Sequence, residues 1–319
     1  MRGPRAAPKR HVACIRVARM ARLRRGESGT KGVQRIVGRE AKKAVKELTV
    51  AGPPRDVAVH DARKRIKRAR AALRLIRQPL GGRRFRRENE ALRDAARPLS
   101  EIRDAKILVE AFDALVEDTA RRNGARARHV RQMLVAHQSR VRKRVFGRKE
   151  PLEPVTKALR SARKRASGWS VGQRGWAALG SGLRRVYRAG RKLLAEVRSN
   201  PSDERLHEWR KQAKYLWHQL EMLEPIAPTR IKTLARRTHR LSDQLGQDHD
   251  LALLKNRVRR SGARVPRTEI DAISRLIDRR REELRAKAMG LGARVYDERP
   301  RRFSERLGTR WHAWRSRSR

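Results

Sequence analysis

The sequence predicts an all-α fold of two similar helical bundles related by an internal repeat. Three observations point there. Ala, Leu, Arg, Lys, Glu and Gln dominate the chain, and all are good helix formers. Strand signals are missing: the 319 residues include only six Trp, three Tyr and four Phe, and no stretch alternates apolar and polar residues for long. Two segments, VHDARKRIKRARAALRLI at 59–76 and LHEWRKQAKYLWHQLEML at 206–223, each place basic residues three, four and seven positions after a histidine.

Taken in order, residues 1–29 form a basic N-terminal arm, with no acid among the first 26. Transit peptides share that composition, but a mobile arm or an over-extended start is the preferred reading. The single cysteine, Cys14, lies in this arm, which rules out a disulfide framework and a cysteine-rich zinc site. A helix is expected over 30–48, ended by AGPPRD at 51–56. The first histidine helix spans about 56–78, with Asp56 at its start and QPLGG closing it. Helices follow at 83–97, 99–118 and 124–146, before the break KEPLEP at 149–154. The next two cover 152–166 and 174–198, up to SNPSDE at 199–204. That break supplies an N-cap candidate and two acids to the second histidine helix, 203–224. After LEPIAPT come helices at 229–246, 248–260 and 267–289. Residues 291–319 read as a basic C-terminal tail, which either recruits partners or forms a last packed helix on Trp311 and Trp314. No apolar run reaches the length of about 18 residues that a membrane-spanning helix needs.

The repeat extends beyond the two histidine segments. LSEIRDAKIL at 99–108 follows the first and LGQDHDLALL at 245–254 the second, so Arg103-Asp104 aligns with His249-Asp250 after a one-residue shift. The halves fall at about 30–147 and 152–290.

Charge narrows the function. Lys and Arg total 85 against 33 acids, a formal charge of +52. Such an excess repels itself and favours an anionic partner: nucleic acid, another polyanion or an anionic membrane surface. Helical spacing then locates the cations. In the first histidine helix Val59, Ala62, Ile66, Ala69, Leu73 and Ile76 share the core stripe, and His60, Arg63, Lys67, Arg70 and Arg74 lie directly beside it. In the second, the core stripe is Leu206, Trp209, Ala213, Leu216, Leu220 and Leu223, and its neighbour is His207, Arg210, Lys211, Lys214 and His218. A basic stripe that flanks the core lines a cleft between helices, whereas a merely solubilising stripe sits opposite the core. In so basic a chain the solvated-face reading still competes.

Metal binding is disfavoured. Three and four residues after His60 stand Arg63 and Lys64, and after His207 stand Arg210 and Lys211, so cations occupy the places of co-ligands. No Walker glycine loop, nucleophile elbow or HExxH motif occurs. Asp104 and Asp250 read better as caps or ion-pair partners than as catalytic acids. The expectation is a non-enzyme with no catalytic residue, metal or cofactor.

VHDARKRIKRARAALRLI, RDAKIL, LHEWRKQAKYLWHQLEML and LGQDHDLALL, in that order, resemble the repeated signature of CHAD domains, the conserved histidine α-helical domains. The resemblance covers about residues 30–290. It implies two helical bundles with an internal pseudo-twofold relation, and binding of inorganic polyphosphate along a basic surface, often with targeting to polyphosphate granules in the cytoplasm. Family members are bacterial or archaeal, which sets the transit-peptide reading aside. Matching positions are His60, Arg63, Lys67, Arg68 and Arg70, then His207, Arg210, Lys211 and Lys214, with Arg103-Asp104 and, more loosely, His249-Asp250. With the stripe residues Lys64, Arg74 and His218 and the paired Arg103, these are the expected polyphosphate ligands. Lys106, Trp217 and His218 depart from the family pattern, and the ExExK motif of the enzyme domain carried by some relatives is missing. The chain therefore reads as a stand-alone binding domain. A nucleic-acid-binding protein is the alternative, and a scaffold or metal-binding protein ranks below it.

Overall fold

The computed structural model describes residues 22–50, 56–123, 128–147, 150–170, 172–173 and 175–316. Residues 1–21 with Cys14, and most of the AGPPRD break, lie outside the described residues. Among the described residues there are twelve α-helices and no strand. They are α1 (Gly29–Leu48), α2 (Asp56–Leu75), α3 (Arg77–Leu80), α4 (Gly82–Ala95), α5 (Arg97–Asn123) and α6 (Arg128–Phe146). Then come α7 (Glu153–Ser167), α8 (Ala177–Ser199), α9 (Asp203–Leu223), α10 (Pro228–Arg259), α11 (Arg267–Val295) and α12 (Pro300–Ser316). No helix among them is long and apolar enough to cross a membrane.

Local chemistry sets several boundaries. The Ser28 hydroxyl accepts the Lys31 N–H at 3.2 Å and starts α1, and Ser202 does the same for Arg205 at the start of α9. Gly81, at φ 84°, turns the chain between the single turn of α3 and α4. Two expectations need correcting. The helices expected at 229–246 and 248–260 are one continuous helix, α10. Gly246 interrupts helix propensity by only about 1 kcal/mol, and the buried Asp248 beyond it is held by Arg281 at 2.9 Å and Arg285 at 3.0 Å, which fixes the segment in place. Of the two readings of the C-terminal stretch, the packed helix is the one observed. Trp311 of α12 is buried, and Arg315 donates to the Arg25 and Glu27 carbonyls at 2.7 and 2.6 Å.

Apolar side chains gather in two clusters. The larger joins α1, α2, α4, α7, α8 and α9 with the first half of α10 and α12. The smaller joins α5 and α6 to the second half of α10 and α11. Each cluster draws on both halves of the chain, so the core does not divide where the sequence does. The two histidine helices meet inside the larger cluster, where the Gln219 side-chain amide of α9 donates to the Ala71 carbonyl of α2 at 3.1 Å. Helix α8 crosses the end of α2 so closely that a β-carbon at Gly182 would collide with the Arg74 and Leu75 carbonyl oxygens.

That contact predicts opposite signs for two glycine substitutions. G182A should lower stability by about 1–3 kcal/mol, because backbone cannot yield as a side chain does. G290A, on an open face of α11 with nothing within 4 Å of the added carbon, should raise it by about 0.5–1 kcal/mol through helix propensity. Urea denaturation of both variants measures this. Equal effects would show that α2 and α8 are not in backbone contact.

Candidate functional site

The core stripes of α2 and α9 face each other, and the basic stripes beside them therefore converge. Arg63 and Lys67 come from α2, Arg210 and Lys214 from α9. The mutual influence of these groups records the convergence. Burial, then the Lys214, Arg63 and Arg210 charges, hold the Lys67 ammonium well below the usual lysine range, with Asp104 opposing. Burial and Arg210 bring Lys214 down to about 8, against the pull of Asp243 and Asp250. Among the described residues neither amine has a carboxylate within ion-pair distance. The Arg210 Nε is buried without an acceptor, and the Lys214 Nζ lies 5.7 Å from the Trp217 ring centroid.

Arg63 is differently employed. Its Nη1 donates to the Leu99 and Ser100 carbonyls at 3.1 and 2.8 Å and lies 3.5 Å from Asp104, so it also fastens α2 to the start of α5. Arg103 stands on α5 at the same edge, paired with Glu110 at 2.9 Å. Asp250 of α10 approaches from the other side. Burial raises its pKa while Arg210 and Arg103 lower it.

The histidines lie at the rim. Burial and Arg103 depress His60, with Asp61 opposing. His207 of α9 meets His249 of α10, with 3.3 Å between their Nδ1 atoms and 4.4 Å between ring centroids. Burial, Arg210 and His207 bring His249 to about 4. The Lys211 amine donates to Glu208 at 2.6 Å. Burial and Arg68 lower Lys64, and Asp61 and Glu221 oppose them.

The remaining expected ligands are placed elsewhere. Arg70 and Arg74 both donate to the Asn89 side-chain oxygen of α4, at 3.1 and 3.0 Å. The Arg74 guanidinium also lies 3.8 Å from the Tyr215 ring centroid, and burial brings it to about 10. These two fasten α2 to α4 and α9. Arg68 is buried, and burial lowers its pKa while the Glu40 and Glu221 charges oppose. His218 is the clearest departure. It is fully buried, stacks on Trp217 at 4.3 Å and pairs with Glu221 at 3.1 Å, and burial holds it well below the ordinary imidazole range. It is a core residue rather than a group lining the cleft. Sequence reasoning gave His249 only a loose repeat match. Its contact with His207 depends on the pairing of α9 with α10, which no motif spacing reveals.

Comparisons with known proteins bear on the family and the fold. The CHAD domain family model matches residues 39–259. No curated protein sequence matches the chain. Among solved structures, PptA from Streptomyces chartreusis is similar with a TM-score of 0.57 over 85% of this chain and all of that one. The two are 14% identical, so the likeness concerns the fold alone.

The electrostatics predict how stability depends on pH. Between about 8 and 10.5 the folded protein has released the Lys214 proton while the unfolded chain keeps it. The unfolded state then binds more protons, so stability rises with pH across that window. Below it both states are charged and the full like-charge penalty remains. K214M should therefore stabilise the protein at pH 7 by about 1–3 kcal/mol and flatten the rise. Urea titrations from pH 7 to 10 compare the two, and an unchanged slope in the variant would place the charge in solvent.

Proposed function

The chain belongs to the CHAD domain family, and from that premise we propose that it binds inorganic polyphosphate, chemically unchanged, in the cleft between α2 and α9. The observation that carries the reading is the set of Lys67, Arg210 and Lys214, cations brought together with no carboxylate within ion-pair distance of any of them among the described residues. Such a set is unfavourable when empty and favourable around a polyanion. Arginine offers phosphate oxygens a planar fork and lysine a movable point charge. In this reading α2 and α9 are equivalent members of an internal repeat, so Lys67 acts as Lys214 does, while Arg63 also fastens α2 to α5. Attachment through the cleft would also hold the protein on polyphosphate granules.

The aromatic residues favour a ligand made only of phosphate. Bases are bound largely by stacking on free rings. Trp209 is fully buried, and Trp217 packs between His218 and His239, with centroids 4.3 and 3.9 Å away. Asp104 and Asp250 serve as counter-charges to Arg63, Arg103 and Arg210 rather than as general acids.

Three outcomes follow. K67A/K214A should weaken polyphosphate binding at least about tenfold, since a partly desolvated charge-assisted contact contributes about 1.5–3 kcal/mol and about 1.4 kcal/mol is one decade. R160A/R163A, on the exposed face of α7, removes the same charge and should change it little. Equal losses in the two pairs, read by calorimetry, would make binding a diffuse effect of net charge. Affinity should also fall as pH rises through about 8 and above, as the Lys214 amine loses its proton, although the bound anion shifts the fall upward. Long polyphosphate should displace single-stranded RNA and duplex DNA at equal phosphate concentration, and no phosphate should be released with or without magnesium. Displacement in the other direction would favour the nucleic-acid reading.

A further inference from the structure

We propose that a second stretch of polyphosphate binds in an arginine-lined groove on the far side of α10, so that one molecule bridges two segments. The inference rests on the reading of the first cleft as a polyphosphate site. The groove, about 630 Å³, lies where the first turns of α10 meet the end of α11 and the start of α12. Arg230, Arg237, Arg294 and Arg302 line it. All four are exposed, and among the described residues none has an acid within ion-pair distance. Arg306 completes the wall but is held by Glu298 at 2.8 Å. Asp297 and Glu298 are the acids of the groove, so five guanidiniums face two carboxylates.

The floor is apolar. Ile231, Phe303 and Leu307 are buried beneath the arginines. Arginine stems can lie along such a floor while their heads stay in water, and the low-dielectric wall strengthens attraction to an anion. The rings present are not available to bases. Tyr187 and Phe303 stack on each other with centroids 4.1 Å apart, and the Tyr187 hydroxyl donates to the Glu298 carbonyl at 3.2 Å. The groove thus offers charge without stacking, as the first cleft does.

The two sites are separate. Arg230 and Arg237 of α10 point into the groove, whereas Asp243 and Asp250 of the same helix act on Lys214 in the cleft. Helical geometry puts Arg230 and Asp243, or Arg237 and Asp250, about 20 Å apart along the axis and about 140° apart around it. A short oligophosphate in one site cannot reach the other. Where two long chains each take one site, the protein joins them, and binding becomes crosslinking.

Calorimetric titration with tripolyphosphate tests the proposal, together with light scattering on mixing with long polyphosphate. The parent protein should take up two equivalents of tripolyphosphate and cluster long chains. R230Q/R237Q/R294Q/R302Q should take up one equivalent, still bind long polyphosphate, and lose the clustering. K67A/K214A should lose the tighter equivalent and keep the weaker. K157Q/R160Q/R163Q/K164Q, with the same charge removed from α7, should behave as the parent. A groove variant that still takes two equivalents, or clusters as the parent does, overturns the bridging proposal. So does a groove variant that loses single-stranded RNA but no tripolyphosphate. If K67A/K214A binds as the parent does and only the groove variant loses uptake, the reading of the first cleft fails and bridging fails with it. A loss confined to K67A/K214A leaves that reading standing and removes the groove alone.

Discussion

The packing of α2 against α9 forces like charges together. Both helices bury an apolar stripe, from Val59 to Leu73 and from Leu206 to Leu223, and on both the cations stand beside that stripe. Once the stripes face each other and Gln219 reaches the Ala71 carbonyl, the cations have nowhere to diverge. Burial of each large apolar side chain contributes about 1.5–3 kcal/mol, and many such side chains lie along the two stripes. Their sum outweighs the repulsion that lowers the basicity of Lys67 and Lys214. The core decides the geometry, and the electrostatic strain is carried by Lys67 and Lys214.

The large basic excess conceals a division of labour. Some arginines are structural fasteners. Arg70 and Arg74 share Asn89, Arg63 holds the start of α5, and Arg281 binds the buried Asp248 and also Asp203. Each already spends at least one donor inside the protein, so its charge alone says little about ligands. The informative cations are those whose donors are free although their surroundings are crowded. Lys67, Arg210 and Lys214 meet that condition in the cleft, and Arg230, Arg237, Arg294 and Arg302 meet a more exposed version of it in the groove. On the proposed reading, net charge attracts a polyanion to the whole surface, and site-by-site pairing selects where it is held.

The rim histidines fit the same logic. His207 and His249 share a short ring-to-ring contact beside Arg210. Burial and the Arg210 charge lower the basicity of both, and a charged imidazole there would add to the repulsion. On the proposed reading, a bound anion would favour the charged form instead.

Helix type and most boundaries were legible in the sequence, because propensity, capping serines and Pro/Gly breaks act within a few residues. So were the four converging cations, since a stripe that flanks the core must follow the core into the interior. Gly246 misled the reading at α10, where tertiary ion pairs to Asp248 carry the helix through. Arg70 and Arg74 shared the predicted stripe yet left the cleft, because Asn89 of α4 and Tyr215 of α9 claim them first, whereas His218 is buried against Trp217 and Glu221 of its own helix. The arginine groove left no motif at all. Its members lie on α10, α11 and α12, far apart in sequence, and only packing brings them to one wall. The sequence by itself determined which faces are apolar, which residues are charged and that the chain is helical, because those properties are local. The tertiary structure alone decided which charges are neutralised and which stay free, because pairing depends on neighbours that only the folded chain supplies.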